Sequence, residues 1–153
     1  MEKNLDETDR RILRELQRDS SRPLTEIAEA ASLSHAPCWR RIRRLRAAGI
    51  IERETVVLNA EKLGWEMEIF VLLKISPEGR ANIDEFRRSM LKHERVLSYS
   101  ILLGNVDAML HLVARNMRDY NRFYLEHLSS SPYISEINSM TLLSRLKDAG
   151  LPL

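Results

Sequence analysis

The sequence of 153 residues holds one cysteine, no long apolar run and almost no net charge. A lone cysteine cannot close an internal disulfide. Neither Cys38 nor the scattered His35, His93, His111 and His127 recurs at a spacing that would cage a metal, so no metal or other cofactor is expected. Around residue 70 the apolar run lasts only from Ile69 to Leu73, against the roughly 20 residues needed to span a bilayer. The charged start Met1-Glu2-Lys3-Asn4-Leu5-Asp6 has no secretory hydrophobic region. A cytoplasmic protein without membrane contact is the expectation. The net charge is +2, from 24 basic and 22 acidic side chains, so an argument for a polyanionic partner must rest on where charge clusters.

It clusters in one place. Residues 34 to 48 carry Arg40, Arg41, Arg43, Arg44 and Arg46 and no carboxylate. At 100° per residue Cys38, Ile42 and Leu45 share one stripe, while Ala36, Arg40, Arg43, Arg44 and Ala47 fall on the opposite face. A solvated surface helix usually balances its arginines with glutamates at i,i+4, and unbalanced like charges cost helix stability. Phosphate would neutralise them, and release of its counterions supplies affinity. The segment reads as a DNA recognition helix. Cys38, on the packing stripe, reads as a small buried hydrophobe rather than a redox switch.

The surrounding residues fit that reading. Asp6 and Asp9 place acids at the start of a first helix whose stripe is Ile12, Leu13 and Leu16. Ser20 to Pro23 breaks the pattern, and Leu24, Ile27, Ala28 and Ala31 give a second helix ending at Ser32-Leu33. Ser34 is placed to N-cap the third, Pro37 sits in its first turn, and Gly49 stops it. Ile50-Ile51 and Thr55 to Leu58 then predict a two-stranded wing or one strand leading out. Residues 1–60 hold 12 basic and 10 acidic side chains and residues 61–153 hold 12 of each, so the formal charge lies in the first part. Two domains are expected: a winged helix-turn-helix over 1–60, with its connecting strand, and a second domain over 61–153.

The second part has a different period. Trp65 to Ile75 alternates and then becomes continuously apolar, as in a buried strand, and Ser76-Pro77-Glu78-Gly79 is expected to end it. Ile83, Phe86, Met90 and Leu91 recur at helical spacing. Val96 to Leu103 and Ala108 to Ala114 predict a hairpin joined by Gly104-Asn105-Val106-Asp107. Tyr120, Phe123, Tyr124 and Leu128 predict a helix, and Ile134 to Leu143 a last strand. The order β-α-β-β-α-β is the ferredoxin-like plan, with both helices on one sheet face. Its other face would be a large apolar patch, which dimerisation through the sheet would cover. The fold class is therefore α+β, a winged helix-turn-helix followed by a ferredoxin-like βαββαβ oligomerisation domain, to which the resemblance described next adds an effector-binding role.

In order and spacing the chain resembles the Lrp/AsnC (feast/famine) transcription regulators. Leu5-Asp6, Asp9, Ile12-Leu13, Leu16-Gln17 and Asp19, then Glu26-Ile27-Ala28, Leu33-Ser34, Pro37-Cys38, Arg41 to Leu45 and Gly49-Ile50-Ile51 are similar to that family's DNA-binding half. Gly104, Asp107, the closing Ile134 strand and Leu151-Pro152-Leu153 are similar to its effector half. Pro37 to Arg41 further resembles a cysteine-responsive subgroup. The resemblance implies a dimer that associates further, commonly to octamers, with a small amino acid bound between subunits near Gly104 to Asp107. Leu103, Asn105 and Ala108 depart from the usual pattern and alter pocket volume and polarity; Pro23 stands where a serine N-cap is common, and Arg40 and Arg46 where acids often appear.

The candidate DNA-binding residues are thus Ser34, His35, Ala36, Trp39, Arg40, Arg41, Arg43 and Arg44; Trp39, on the flank of the stripe, is placed either to pack against the first helix or to reach DNA, with packing slightly favoured. The candidate effector residues are Ser100, Gly104, Asn105, Val106, Asp107, Ser139 and Thr141. Taken alone, the turn has two readings: backbone amides forming a carboxylate-binding nest with Asp107 pairing an ammonium, or a plain hairpin in which Gly104 supplies a positive φ and Asp107 caps. Two other functions remain open. A sirohaem-decarboxylase-like enzyme on the same plan would use His93, His111 and Arg115, and a DNA-compacting protein would need no effector.

Overall fold

A computed structural model describes residues 5–147 and 150–153; the opening residues Met1 to Asn4, charged in part, lie outside them. The chain divides into two compact units, one of Met1–Val57 with Lys147–Leu153 and the other of Leu58–Leu146. The carboxy-terminal tail, counted with the second domain in the sequence reading, thus lies in the first unit.

Three helices build the first unit: α1 (Glu7–Arg18), α2 (Leu24–Ala30) and α3 (His35–Ala47). Helix α1 begins in a capping box, with the Asp9 amide donating to the Asp6 carboxylate at 2.8 Å and the Asp6 amide to the Asp9 carboxylate at 3.3 Å; orphan amides are satisfied and negative charge sits at the positive end of the dipole. Pro23 starts α2 without a side-chain cap. In the turn to α3, Ser32 adopts φ +59°, a left-handed conformation rare outside glycine. Ser34 occupies the N-cap position of α3, but its hydroxyl makes no capping bond. Helix α3 ends as its glycine requires: Gly49, at φ +68°, donates to Arg46 O and Ile50 to Leu45 O, a Schellman motif. Ile12, Leu13, Ile27, Ala28, Ala31, Cys38, Ile42 and Leu45 form the core, with Leu153 of the tail packed against it.

The expected wing is not formed. Residues 52–58 contain no helix or strand, and Val56, Val57 and Leu58 are exposed. Their β-branched character favours extension, but a strand exists only with a partner, and among the described residues none pairs with this segment.

The second unit has the order β1 (Met67–Ile75), α4 (Pro77–Met90), β2 (Val96–Ile101), β3 (Ala108–Ala114), α5 (Met117–Phe123) and β4 (Ile134–Thr141), with a π-helical turn at Tyr124–Leu128. The sheet runs β2-β3-β1-β4, antiparallel throughout, the ferredoxin-like arrangement. Alternation along β1 and β3 sends Ile69, Val71, Leu73, Ala108, Leu110, Leu112 and Ala114 into one core with Ile83, Phe86 and Met90 of α4, Tyr120 and Phe123 of α5, and Leu128. A fully buried side chain of this size stabilises by about 1.5 to 3 kcal/mol. The opposite face carries Phe70, Leu72, Met109, His111 and Met140, all at least partly exposed.

Ser76-Pro77-Glu78-Gly79 does more than end β1, because it starts α4. The Ser76 hydroxyl accepts from the Gly79 amide at 2.9 Å and Pro77 is the first helical residue. The outer strands are shorter than expected, β2 stopping at Ile101 and β4 at Thr141.

Candidate DNA-binding face and effector loop

The stripe of α3 is buried as its period predicts, with Cys38, Ile42 and Leu45 at 0%, 5% and 1% exposure. Burial pushes the Cys38 thiol above its ordinary pKa, as suits a packing residue rather than a reactive one. The arginines do not form one uniform free face. Arg41 donates to Asp6 at 2.6 Å and to Asp9 at 2.9 Å, Arg44 donates to Asp9, and Arg46 to Glu54. Asp9 is fully buried and its carboxylate links the first turn of α1 to two turns of α3. The hydrogen bond from Arg41, then that from the Asp9 amide, holds the Asp6 carboxyl below the usual carboxylate range.

This corrects the expectation that no acid balances the cluster. The carboxylates that balance Arg41 and Arg44 come from the start of α1, more than thirty positions away, and the one that balances Arg46 is Glu54, eight positions on, so a local i,i+4 search finds none of them. Arg40 and Arg43 have no carboxylate partner among the described residues and both are exposed. Ser34, His35 and Ala36 are exposed at the amino-terminal end of the same helix, where free amides and the dipole favour an anion. Trp39 is 46% exposed and lines a shallow cleft with Leu16 of α1 and Leu24 and Ile27 of α2, and the Arg43 guanidinium carbon lies 4.7 Å from its ring centroid.

The second candidate site lies between β2 and β3. The connection is a six-residue loop, Leu102 to Asp107, closed by Leu102 N donating to Asp107 O at 2.9 Å. The Asp107 amide donates to Leu73 O at 2.9 Å, and its carboxylate accepts from the Ile75 amide at 2.8 Å. That carboxylate therefore ties the loop to the end of β1. Gly104 is not at positive φ; among the described residues only Ser32, Gly49 and Gly64 are. A Cβ built on Gly104 meets nothing within 4 Å, so neither a left-handed turn nor a close approach inside one chain explains this glycine.

One chain does not bring the effector residues together. Ser100 pairs with Met109 on the open sheet face at the β2 edge. Ser139 and Thr141, on the β4 edge, share the helix-covered side with their register partners Val71 and Ile69, and Ser139 bonds the Tyr120 hydroxyl. The groups considered for decarboxylase chemistry are also apart. His93 packs on Phe123 and His127 beside α5, His111 on the open face bonds Glu68 at 2.7 Å and stacks on Phe70, and Arg115 lies over Trp65. Among the described residues no cluster of three or more His, Cys, Asp or Glu is placed to hold a metal, and no helix is long and apolar enough to cross a membrane.

A helix-turn-helix with an arginine-bearing second helix, joined in one chain to a βαββαβ domain, is the build of a ligand-responsive transcription regulator. Residues 5–46 match the AsnC-type helix-turn-helix domain and residues 68–152 the Lrp/AsnC ligand binding domain. The chain belongs to the Lrp/AsnC family. It is 35% identical over 143 residues to the transcriptional regulator AzlB of Bacillus subtilis, covering 94% of this chain and 91% of that one. With the leucine-responsive regulatory protein of Rhizobium meliloti it shares 32% identity, covering 95% and 93%. Among solved structures, the transcriptional regulator NMB0573/L-Met complex from Neisseria meningitidis superposes with a TM-score of 0.89 at 30% identity over 97% of both chains. These likenesses do not single out a cysteine-responsive subgroup.

Proposed function

We propose that this chain is a sequence-specific regulator that binds double-stranded DNA through the outer face of α3 and answers a small amino acid by a change in DNA affinity or assembly. The observation that carries the reading is the pair Arg40 and Arg43, exposed and without carboxylate partners among the described residues, on a helix whose opposite stripe is buried. Ser34, His35, Ala36 and Trp39 complete the DNA-facing set, whereas Arg41 and Arg44 serve α1 first. The working form is a homodimer, covering the open sheet face, that associates further toward an octamer in the cytoplasm; the chain catalyses no reaction.

The effector sits between subunits against the Leu102 to Asp107 loop. Support comes from the scatter of Ser100 and Ser139 over opposite edges of one sheet: a pocket using both draws them from two copies. A relative named for leucine and a neighbour solved with L-Met put leucine and methionine beside cysteine at the head of the candidates. The test is a thermal-shift screen of the twenty amino acids, since a ligand of the folded state stabilises by RT ln(1 + [L]/Kd), followed by DNA titration with each hit. The expected outcome is one or a few amino acids that raise the melting temperature and change DNA affinity by roughly 5- to 150-fold. Should none do so at millimolar concentration, the effector reading fails and effector-independent DNA packing replaces it.

A further inference from the structure

Trp39 and Arg43 stand one turn apart on α3, close enough for face-on contact, and the 4.7 Å approach of guanidinium to ring is a cation–π stack. Neither residue is needed to close the core: Trp39 keeps 46% of its surface in solvent and Arg43 is exposed. Three of the five arginines are committed to Asp6, Asp9 and Glu54. Of the two left, Arg40 has no such restraint, while Arg43 lies against a rigid indole. A flexible arginine loses rotamer freedom when it docks, and one already held by a flat surface loses less.

We propose that the Trp39–Arg43 stack is the specificity-determining element of the DNA-binding face. Trp39 is a positioning residue that holds the Arg43 fork for paired donation to O6 and N7 of a guanine in the major groove, and Arg40 makes a sequence-independent phosphate contact. The base is guanine because it alone presents two adjacent acceptors in that groove, whereas adenine presents one acceptor and one donor. This inference rests on the DNA-binding reading of α3 and adds the base and the residue that reads it.

The experiment uses full-length variants and a pool of randomised DNA duplexes at one fixed salt concentration, with affinity for the unselected pool measured alongside. Wild type is expected to prefer guanine at one base pair of each half-site by roughly 5- to 150-fold. Arg43→Gln moves that preference toward adenine, whose N6 and N7 suit an amide. Trp39→Leu flattens the preference at the same base pair by a larger factor than it lowers affinity for the unselected pool; Trp39→Phe, which keeps a ring, gives a smaller loss of preference. Arg40→Gln weakens binding to all duplexes alike and lowers the salt slope by about 1.

Retention of the guanine preference by Arg43→Gln would place the reader elsewhere. Retention by Trp39→Leu, with loss in Arg43→Gln, would show that the indole does not orient the fork. Should Trp39→Leu not fold, Trp39→Phe decides, and no change at that base pair rejects the stack. A wild-type protein that enriches no sequence at all overturns the sequence-specific reading itself, an outcome distinct from the others.

Discussion

The flank and the outer face of α3 carry the same side chain for opposite ends. On the flank, Arg41 and Arg44 reach back to Asp6 and Asp9 and fasten the recognition helix to α1. On the outer face, Arg40 and Arg43 meet no acid among the described residues. What separates them is not residue type or local sequence but whether a carboxylate of α1 lies within reach. A basic cluster is therefore a mixture of internal ties and external contacts, and only the tertiary structure sorts them.

Replacing both outer arginines breaks the comparison from one side. Arg40→Ala with Arg43→Ala should remove the roughly 1 to 3 kcal/mol of base discrimination carried by Arg43 and, through the lost phosphate contact of Arg40, weaken binding to every duplex, while leaving stability within about 0.5 kcal/mol. Fluorescence anisotropy on a selected duplex and a denaturant melt measure the two quantities. A folded double mutant that binds normally sinks the assignment of the recognition face.

Replacing the inner pair breaks it from the other side. Arg41→Ala with Arg44→Ala leaves the Asp9 carboxylate buried without its cations, and losing the partner of a buried charge costs about 3 to 5 kcal/mol. Hydrogen exchange should show the loss in α1 and α3 and leave β1 and β3 protected. Equal loss of protection in both units would mean that they do not unfold independently.

Asp107 extends the same question to the second unit, where a carboxylate holds a backbone amide instead of an arginine. Asp107→Asn keeps an oxygen for the Ile75 amide but removes the charge. If the charge pairs with an effector ammonium, this variant should lose most of the 1 to 3 kcal/mol coupling typical of such responses and bind DNA normally without ligand. A full response in Asp107→Asn assigns the carboxylate to loop structure alone. Gly104→Ala, whose added Cβ meets nothing within 4 Å in one chain, should impair the response only where a ligand or a second copy approaches that loop.

The smallest effect expected is a difference in acid sensitivity. In the first unit Asp6, Glu7 and Asp19 are held below the usual carboxylate range by hydrogen bonds from Arg41, Arg14 and Ser21 respectively. A depressed carboxyl contributes stability above its unfolded pKa, near 4, and loses it as pH falls through the folded value. In the second unit burial, then the charges of His127 and Arg95, lowers the His93 pKa. Below about pH 6.5 the unfolded chain takes up a proton that folded His93 resists, so that unit weakens first; Asp119, lowered chiefly by the Arg115 amide, adds to the loss only in stronger acid. Hydrogen exchange at steps from about pH 7 to pH 3 should show this order, and His93→Gln should remove the early step.

Much of the fold was legible because it follows periods. The Cys38, Ile42, Leu45 stripe, the alternation along β1 and the stop at Gly49 are local signals, and the element order implied the sheet plan. What was hidden depended on distance or on a missing partner. Asp6 and Asp9 were readable as helix caps, but not as anchors for arginines on another helix. Residues 52–58 had strand propensity, yet nothing in the sequence says whether a strand will find a neighbour. Ser76-Pro77 looked like a strand terminator because a proline ends one element as readily as it begins the next. The contact between Trp39 and Arg43, by contrast, follows from i,i+4 spacing, which brings a ring and a guanidinium one turn apart onto the same face.

The strand order β2-β3-β1-β4 sets a schedule for synthesis. Strand β1 is the first of the sheet to be made and takes an inner position, yet neither of its neighbours follows it directly in the chain. Its apolar residues Ile69, Val71 and Leu73 emerge without a partner strand until β3 is complete at Ala114, 39 residues after Ile75. At about 5 to 20 residues per second that is a wait of about 2 to 8 s for the nascent chain. During this interval only α4 can shelter the strand, so a slow-forming α4 would show itself first as aggregation on the ribosome, at rates of synthesis where the finished protein is stable.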